Sequence, residues 1–249
     1  MSLVHGTTIG GVSGKYPNVQ VSLAGTGTAP IDNTSDGGGL RNVNFGNITL
    51  TTGSSGDYLR FIIENSCHSN TSARINSVTI GGVNAGLGGN GPYALDTALD
   101  TLVVNQVQIA IPDPGWPSIN VQAQIQGSGS NSCANRLVVL RLRNVLNPRM
   151  AAAFATQADN VVANIAVTGG GTIIVTNHHA QNANPSLGNL NRAYTEVINR
   201  INGPGSGRGL SVYYRTVTET DEMVATVGYP LTNTISSSQS WVNLIGYIR

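Results

Sequence analysis

Charge is scarce in this chain. Only 10% of its 249 residues are Asp, Glu, Lys or Arg, against about 25% in an ordinary soluble domain. Lysine is nearly missing: Lys15 is the only one, and twelve arginines supply the remaining positive charge. The formal net charge of +1 leaves no overall field to steer the chain to nucleic acid or to an anionic membrane. No apolar run approaches the roughly 18 residues of a membrane-spanning helix, so no membrane span is expected. The opening MSLVHGTTIGGVSG has neither the basic nor the apolar stretch of an export signal. Folding in a reducing cytoplasm is therefore the expectation. The two cysteines, Cys67 and Cys133, are then expected as thiols, with a bridge between two loop ends as the alternative.

Catalytic signatures are missing as well. There is no P-loop, no GxSxG and no GxGxxG leading into a helix. The glycines of Gly169–Thr172 lie between two strand-like segments and suit a turn rather than a phosphate cradle. Carboxylates number eight Asp and four Glu, and the densest group, Glu219, Asp221 and Glu222, falls in a turn-like stretch. His178 and His179 are adjacent; on a strand such neighbours point to opposite faces and cannot readily share one metal ion. No CxxC or HxxxH spacing accompanies them. The expectation is no catalytic site, no metal and no cofactor.

What the chain has in quantity is Gly, at 31 residues, with Ser, Thr, Asn and Gln to cover its surface. Strand signals recur every 8–12 residues, separated by Gly- and Pro-rich turns. Tyr58–Ile63 is mostly apolar and reads as a central strand. Ile119–Gln126 alternates: Ile119, Val121, Ala123 and Ile125 face one way, and Asn120, Gln122, Gln124 and Gln126 the other. That pattern predicts a half-buried strand with an uncharged polar outer face. Leu137–Val145 also alternates, with Val138, Leu140 and Leu142 inward and Arg141 and Arg143 outward. Only two stretches suggest helical turns, one near Tyr93–Leu99 and one in LNPRMAAAFATQAD, residues 146–159.

The phrase SINVQAQIQGSGSNSCANRLVVLRLRNV, Ser118–Val145, is echoed by the final Ser211–Arg249. Each follows a strand, a Gly-rich turn and a second apolar strand, so the order of features repeats. The expected fold is all-β: two tandem antiparallel β-sandwich, jelly-roll-like domains with an N-terminal extended arm. The expected boundaries are 1–40 for the arm and leading strands, 41–146 for the first sandwich, 147–160 for a connector and 161–249 for the second sandwich.

Five residues stand out as candidate contacts. Trp116 sits between Pro114 and Pro117 in a turn, where it either caps the core or stacks on a sugar. Arg141 and Arg143 either meet a neighbouring subunit or lie solvated on an open face. His178 and His179 complete the set, at the head of the polar loop NHHAQNANPSLGNLNR.

The phrases INSVTIGGVNA (Ile75–Ala85), VQIAIPDPGWPSINVQAQI (Val107–Ile125) and LVVLRLRNV (Leu137–Val145) resemble β-sandwich modules of tailed-bacteriophage structural proteins. The resemblance runs over about residues 42–249 and transfers no functional residue. It implies a non-enzymatic virion component, a capsid decoration, cement or head-spike protein assembled in the host bacterial cytoplasm. It implies partners among other virion proteins and a homo-oligomer. A tail-fibre or adhesin module that binds host-surface carbohydrate is the alternative.

Overall fold

The computed structural model describes residues 17–32, 40–68, 74–85, 94–99, 102–126, 133–148, 152–156, 160–163, 170–179, 186–187, 195–202, 209–217, 227–232 and 241–248. Every regular element among them is a β-strand, and the strand pairs are antiparallel. The all-β class expected from the sequence is therefore what the chain adopts.

One sheet forms the middle of the molecule. It runs β1 (Gln20–Asp32), β9 (Cys133–Arg143), β3 (Tyr58–His68), β7 (Leu102–Pro112) and β6 (Ala94–Leu99), in that order. Leu59, Phe61, Ile63, Val107, Ile109, Leu137 and Val139 belong to a core shared with a four-stranded sheet. That outer sheet runs β2 (Leu40–Thr49), β8 (Ser118–Gln126), β4 (Arg74–Ile80) and β5 (Val83–Asn84). Its contribution includes Val43, Phe45, Ile48, Val78, Ile80, Val121 and Ile125.

The other face of the central sheet is covered too. Val21, Ile62, Val138, Leu140 and Leu142 pack with Ile174, Leu210 and Val212 in a second core. The latter three come from another five-stranded sheet. Its order is β10 (Ala152–Thr156), β17 (Trp241–Ile248), β12 (Thr172–His179), β15 (Gly209–Thr216) and β14 (Thr195–Asn202). A three-stranded sheet of β11 (Asn160–Ala163), β16 (Val227–Thr232) and β13 (Ser186–Leu187) completes the fold. Three of these layers stack, and the middle one has no solvent face over much of its area. Hence Tyr58–Ile63 of β3 reads as a mostly apolar run, and both alternating sets of β9 are buried, each in a different core.

Two expectations are corrected. The stretch near Tyr93–Leu99 is not a helical turn: Ala94–Leu99 pairs with β7 in an unbroken register from Ala94↔Val107 to Leu99↔Leu102. In 146–159, Ala152–Thr156 pairs with β17, Phe154 opposite Ile245. Alanine favours helix, but a helix of so few residues is marginal in water. Sheet pairing satisfies the same backbone groups cooperatively with an existing strand, and it wins. Residues 20–32 of the expected arm form β1, the edge strand beside β9.

A buried polar chain links the layers on the second-core side. Arg136 Nη1 donates to Glu64 Oε1 at 2.8 Å, and Gln106 Nε2 donates to Glu64 Oε2 at 3.3 Å. Gln108 Nε2 donates to Gln106 Oε1 at 3.0 Å. Thr176 on β12 donates its hydroxyl to the same Gln106 oxygen at 2.9 Å, crossing from one sheet to the next. Glu64 and Arg136 have 0% exposed side chains, so each charge depends on the other for its solvation.

Candidate functional site

The outer face of the four-stranded sheet is the most distinctive surface of the molecule. The alternation of β8 buries Ile119, Val121, Ala123 and Ile125 and turns Asn120, Gln122 and Gln124 outward. The register extends that polarity across three strands. Gln124 lies between Asn42 on β2 and Ser77 on β4; Gln122 lies between Asn44 and Thr79; Asn47 is opposite Asn120; Thr49 is opposite Ser118. None of these outward residues carries a charge. Two bulges maintain the pattern. At Asn44/Gly46 the extra residue lets Phe45 join the core, and Gly46 takes φ 77 with its N–H bonded to Asn44 Oδ1 at 2.8 Å. A second irregularity between Ile75 and Ser77 returns β4 to phase. The result is a field of amides and hydroxyls, each able to donate and accept.

One end of this field is bounded by the turn Asp113–Pro117, which carries Trp116. The turn is held by one carboxylate. Asp113 Oδ1 accepts from Gly115 N–H at 2.8 Å, and Gly115 takes φ 81. Asp113 Oδ2 accepts from Arg141 Nε at 2.9 Å. Arg141 Nη1 also donates to Thr51 Oγ1 at 2.6 Å and to the Thr52 carbonyl at 3.1 Å, which ties down the neighbouring turn. Gly53 packs against this clamp so closely that a Cβ there would collide with Asp113 Oδ2 and Arg141 Nε. The Leu50 N–H donates to the Pro117 carbonyl at 2.9 Å and joins the two turns. Trp116 remains 39% exposed, with its ring edge beside Gly81. Val83, 70% exposed, lies on the hairpin that follows Gly81.

Asp57 forms the second half of the clamp. Its carboxylate accepts from Arg143 Nε and Nη2, both at 3.1 Å, and from Ser54 N–H at 3.2 Å. Arg141 Nε lies 3.8 Å away. Burial pushes the Asp57 carboxyl upward. The bonds from Arg143 and Ser54 and the charges of Arg143 and Arg141 outweigh that effect and hold it below its ordinary 3.8.

No protein-family model matches this chain, and no curated protein or solved structure resembles it.

The structure brings Trp116, Arg141 and Arg143 to one end of the molecule and leaves the histidines apart. His178 and His179 occupy successive positions on β12, opposite Leu210 and Gly209 on β15 and opposite Val242 and Trp241 on β17. Arg141 does not face outward as the alternation of its strand suggests. It is 4% exposed, because the central sheet is covered on both faces and Asp113 compensates its charge. Arg143, one step beyond that cover, has a side chain 48% exposed. Asp57 and Asp113 were not singled out by the sequence. The signal was there: an arginine inside an apolar strand requires a carboxylate, and few exist. Among the described residues no three His, Cys, Asp or Glu gather as a metal site. No helix of the described residues is long and apolar enough to cross a membrane.

Proposed function

We propose that this chain is a non-enzymatic structural component of a bacteriophage particle, a capsid decoration, cement or head-spike protein. In this reading, tandem jelly-roll-like units pack on neighbouring virion subunits and on further copies of the chain. The observation that carries it is the run of uncharged amides and hydroxyls that β2, β8 and β4 align from the row of Asn42, Gln124 and Ser77 to the row of Thr49 and Ser118. So broad a field of uncharged groups is a poor solvated exterior for a freely diffusing protein. As a contact surface it suits repeated packing, since amides desolvate at far lower cost than ions and pair in either direction. Many copies convert a weak individual contact into firm attachment. The phrase-level resemblance over residues 42–249 supplies the particle.

The test is placement and a charge insertion. A map of the particle is expected to show this chain on its surface with the amide face against a neighbour. Gln122→Lys combined with Asn47→Lys places two charges on that face at exposed positions that are not directly opposite each other. Surface changes of this kind usually alter stability by within about 0.5 kcal/mol. The variant is expected to fold normally and to be lost from purified particles. Normal incorporation of a correctly folded variant sinks the reading.

Trp116 favours a second reading, a module that binds host-surface carbohydrate. Its half-exposed ring stands at the rim of an amide-rich face, an arrangement able to stack on a sugar and bond its hydroxyls. In that case Trp116→Ala abolishes signal on a glycan array while leaving particle incorporation intact.

A further inference from the structure

The only two cysteines of the chain stand opposite each other on adjacent strands. In the pairing of β3 with β9, Glu64 is opposite Arg136, Asn65 opposite Asn135, Ser66 opposite Ala134 and Cys67 opposite Cys133, with no irregularity between these rows. Directly opposed residues of an antiparallel pair hold their Cα atoms about 4.5 or 5.5 Å apart, according to the class of row. Both separations fall within the roughly 4.4–6.8 Å that a disulfide spans. Neighbouring rows show that this register brings side chains into direct contact. Arg136 Nη1 lies 2.8 Å from Glu64 Oε1, and Asn65 Nδ2 donates to Asn135 Oδ1 at 2.6 Å. The cysteine row is two steps beyond the asparagine row. It therefore shares that row's pairing class, on strands whose register has not slipped between the two rows.

We propose that Cys67 and Cys133 form a cross-strand disulfide that fastens β3 to β9 once the folded chain meets an oxidising medium. The two Sγ atoms join, two protons are released, and two electrons pass to a low-molecular-weight disulfide such as oxidised glutathione, which leaves as two thiols. In a reducing compartment the pair stays as thiols, so the bridge follows folding and does not direct it. It lies at the end of the central sheet opposite the Asp57–Asp113 clamp: one end is held by ion pairs, the other by a covalent bond. The segment it closes contains β4, β7 and β8, strands of two layers, and constrains the unfolded chain over that whole length. This inference does not depend on the proposed function.

Full-length protein purified in reductant and then equilibrated with oxidised glutathione supplies the test. Digestion without reduction is expected to yield one peptide pair joining Cys67 to Cys133, lighter by two hydrogens than the two thiol peptides. The Tm is expected to rise by roughly 5–15 °C over the reduced protein. Cys67→Ser, Cys133→Ser and the double variant should each abolish that rise equally, because any of the three removes the same bond. Two thiols that both react with iodoacetamide in the folded, glutathione-treated protein overturn the proposal, as does a bridge found only between chains. Should a serine variant fail to fold, the peptide map of the unaltered chain decides.

Discussion

Arg141 and Asp113 are each other's main compensation in a place that water barely reaches. Arg141→Met strands the Asp113 carboxylate and frees the Thr51–Thr52 turn, at an expected cost of about 3–5 kcal/mol in urea unfolding. Adding Asp113→Asn removes the stranded charge, and the double variant should recover part of that loss. Asp57 makes a pH-dependent contribution. Its carboxyl titrates lower in the folded chain than in the unfolded one, so its stabilisation is complete above an ordinary carboxylate pKa of about 3.8. That stabilisation disappears as the pH falls through the lower folded value. A Tm-against-pH series should show an acid decline that is shallower in Asp57→Asn; identical slopes would remove Asp57 from the account. At this scale the sequence revealed half of the clamp. Trp116 announced itself by its turn, Pro112-Asp113-Pro114-Gly115, and the arginines by their strand. Their partners did not, because Asp113 meets Arg141 across 28 positions of chain, through pairing that no local pattern encodes.

Strands differed in how plainly they could be read, and the difference follows from what covers them. In β8 one face is core and one is solvent, so the period of two is explicit and every inward residue is where the alternation places it. In β9, residues 135–142 are all buried, so alternation there separates two cores, one shared with the outer sheet and one with β12 and β15. An arginine in such a strand looks like a surface marker and is not one. The strands β6 and β10 were illegible for another reason: they are short segments whose strand form comes from β7 and β17. Strand β1 offers a test of packing at this level. It lies directly beneath β2, and two of its glycines have no room for a side chain. A Cβ at Gly25 would stand 2.8 Å from the Thr49 carbonyl oxygen, whereas one at Gly27 would stand 2.6 Å from Ile48 Cδ1. A methyl terminus can rotate away and a backbone oxygen cannot. Gly25→Ala should therefore destabilise more than Gly27→Ala, both within about 1–3 kcal/mol, measured by the shift in denaturation midpoint.

Seen as a whole, the molecule has the parts of its chain before and after residue 148 joined through the central sheet. Ile62, Val138, Leu140 and Leu142 lie in the earlier part, and the residues that cover them, Ile174, Leu210 and Val212, lie in the later part. Thr176 adds a polar contact between the same two layers by donating its hydroxyl to Gln106. Each part supplies apolar cover that the other lacks, so the two are expected to fold together. A fragment ending at Pro148 keeps the core between the central and outer sheets but exposes those four apolar side chains together with the ion pair of Glu64 and Arg136. Each large apolar side chain uncovered forfeits about 1.5–3 kcal/mol, and four of them approach the whole stability of an ordinary domain. The fragment 1–148 is accordingly expected to aggregate or to bind a hydrophobic dye, while the full chain unfolds in a single transition by intrinsic fluorescence and circular dichroism. Two separated transitions in the full chain, with a soluble and cooperatively folded 1–148, would mean that the shared core contributes little. The same dependence bears on assembly. Charge insertion at Gln122 lies on the far side of the outer sheet from this core, so loss of particle binding there, with an unchanged single transition, separates a failure of contact from a failure of folding.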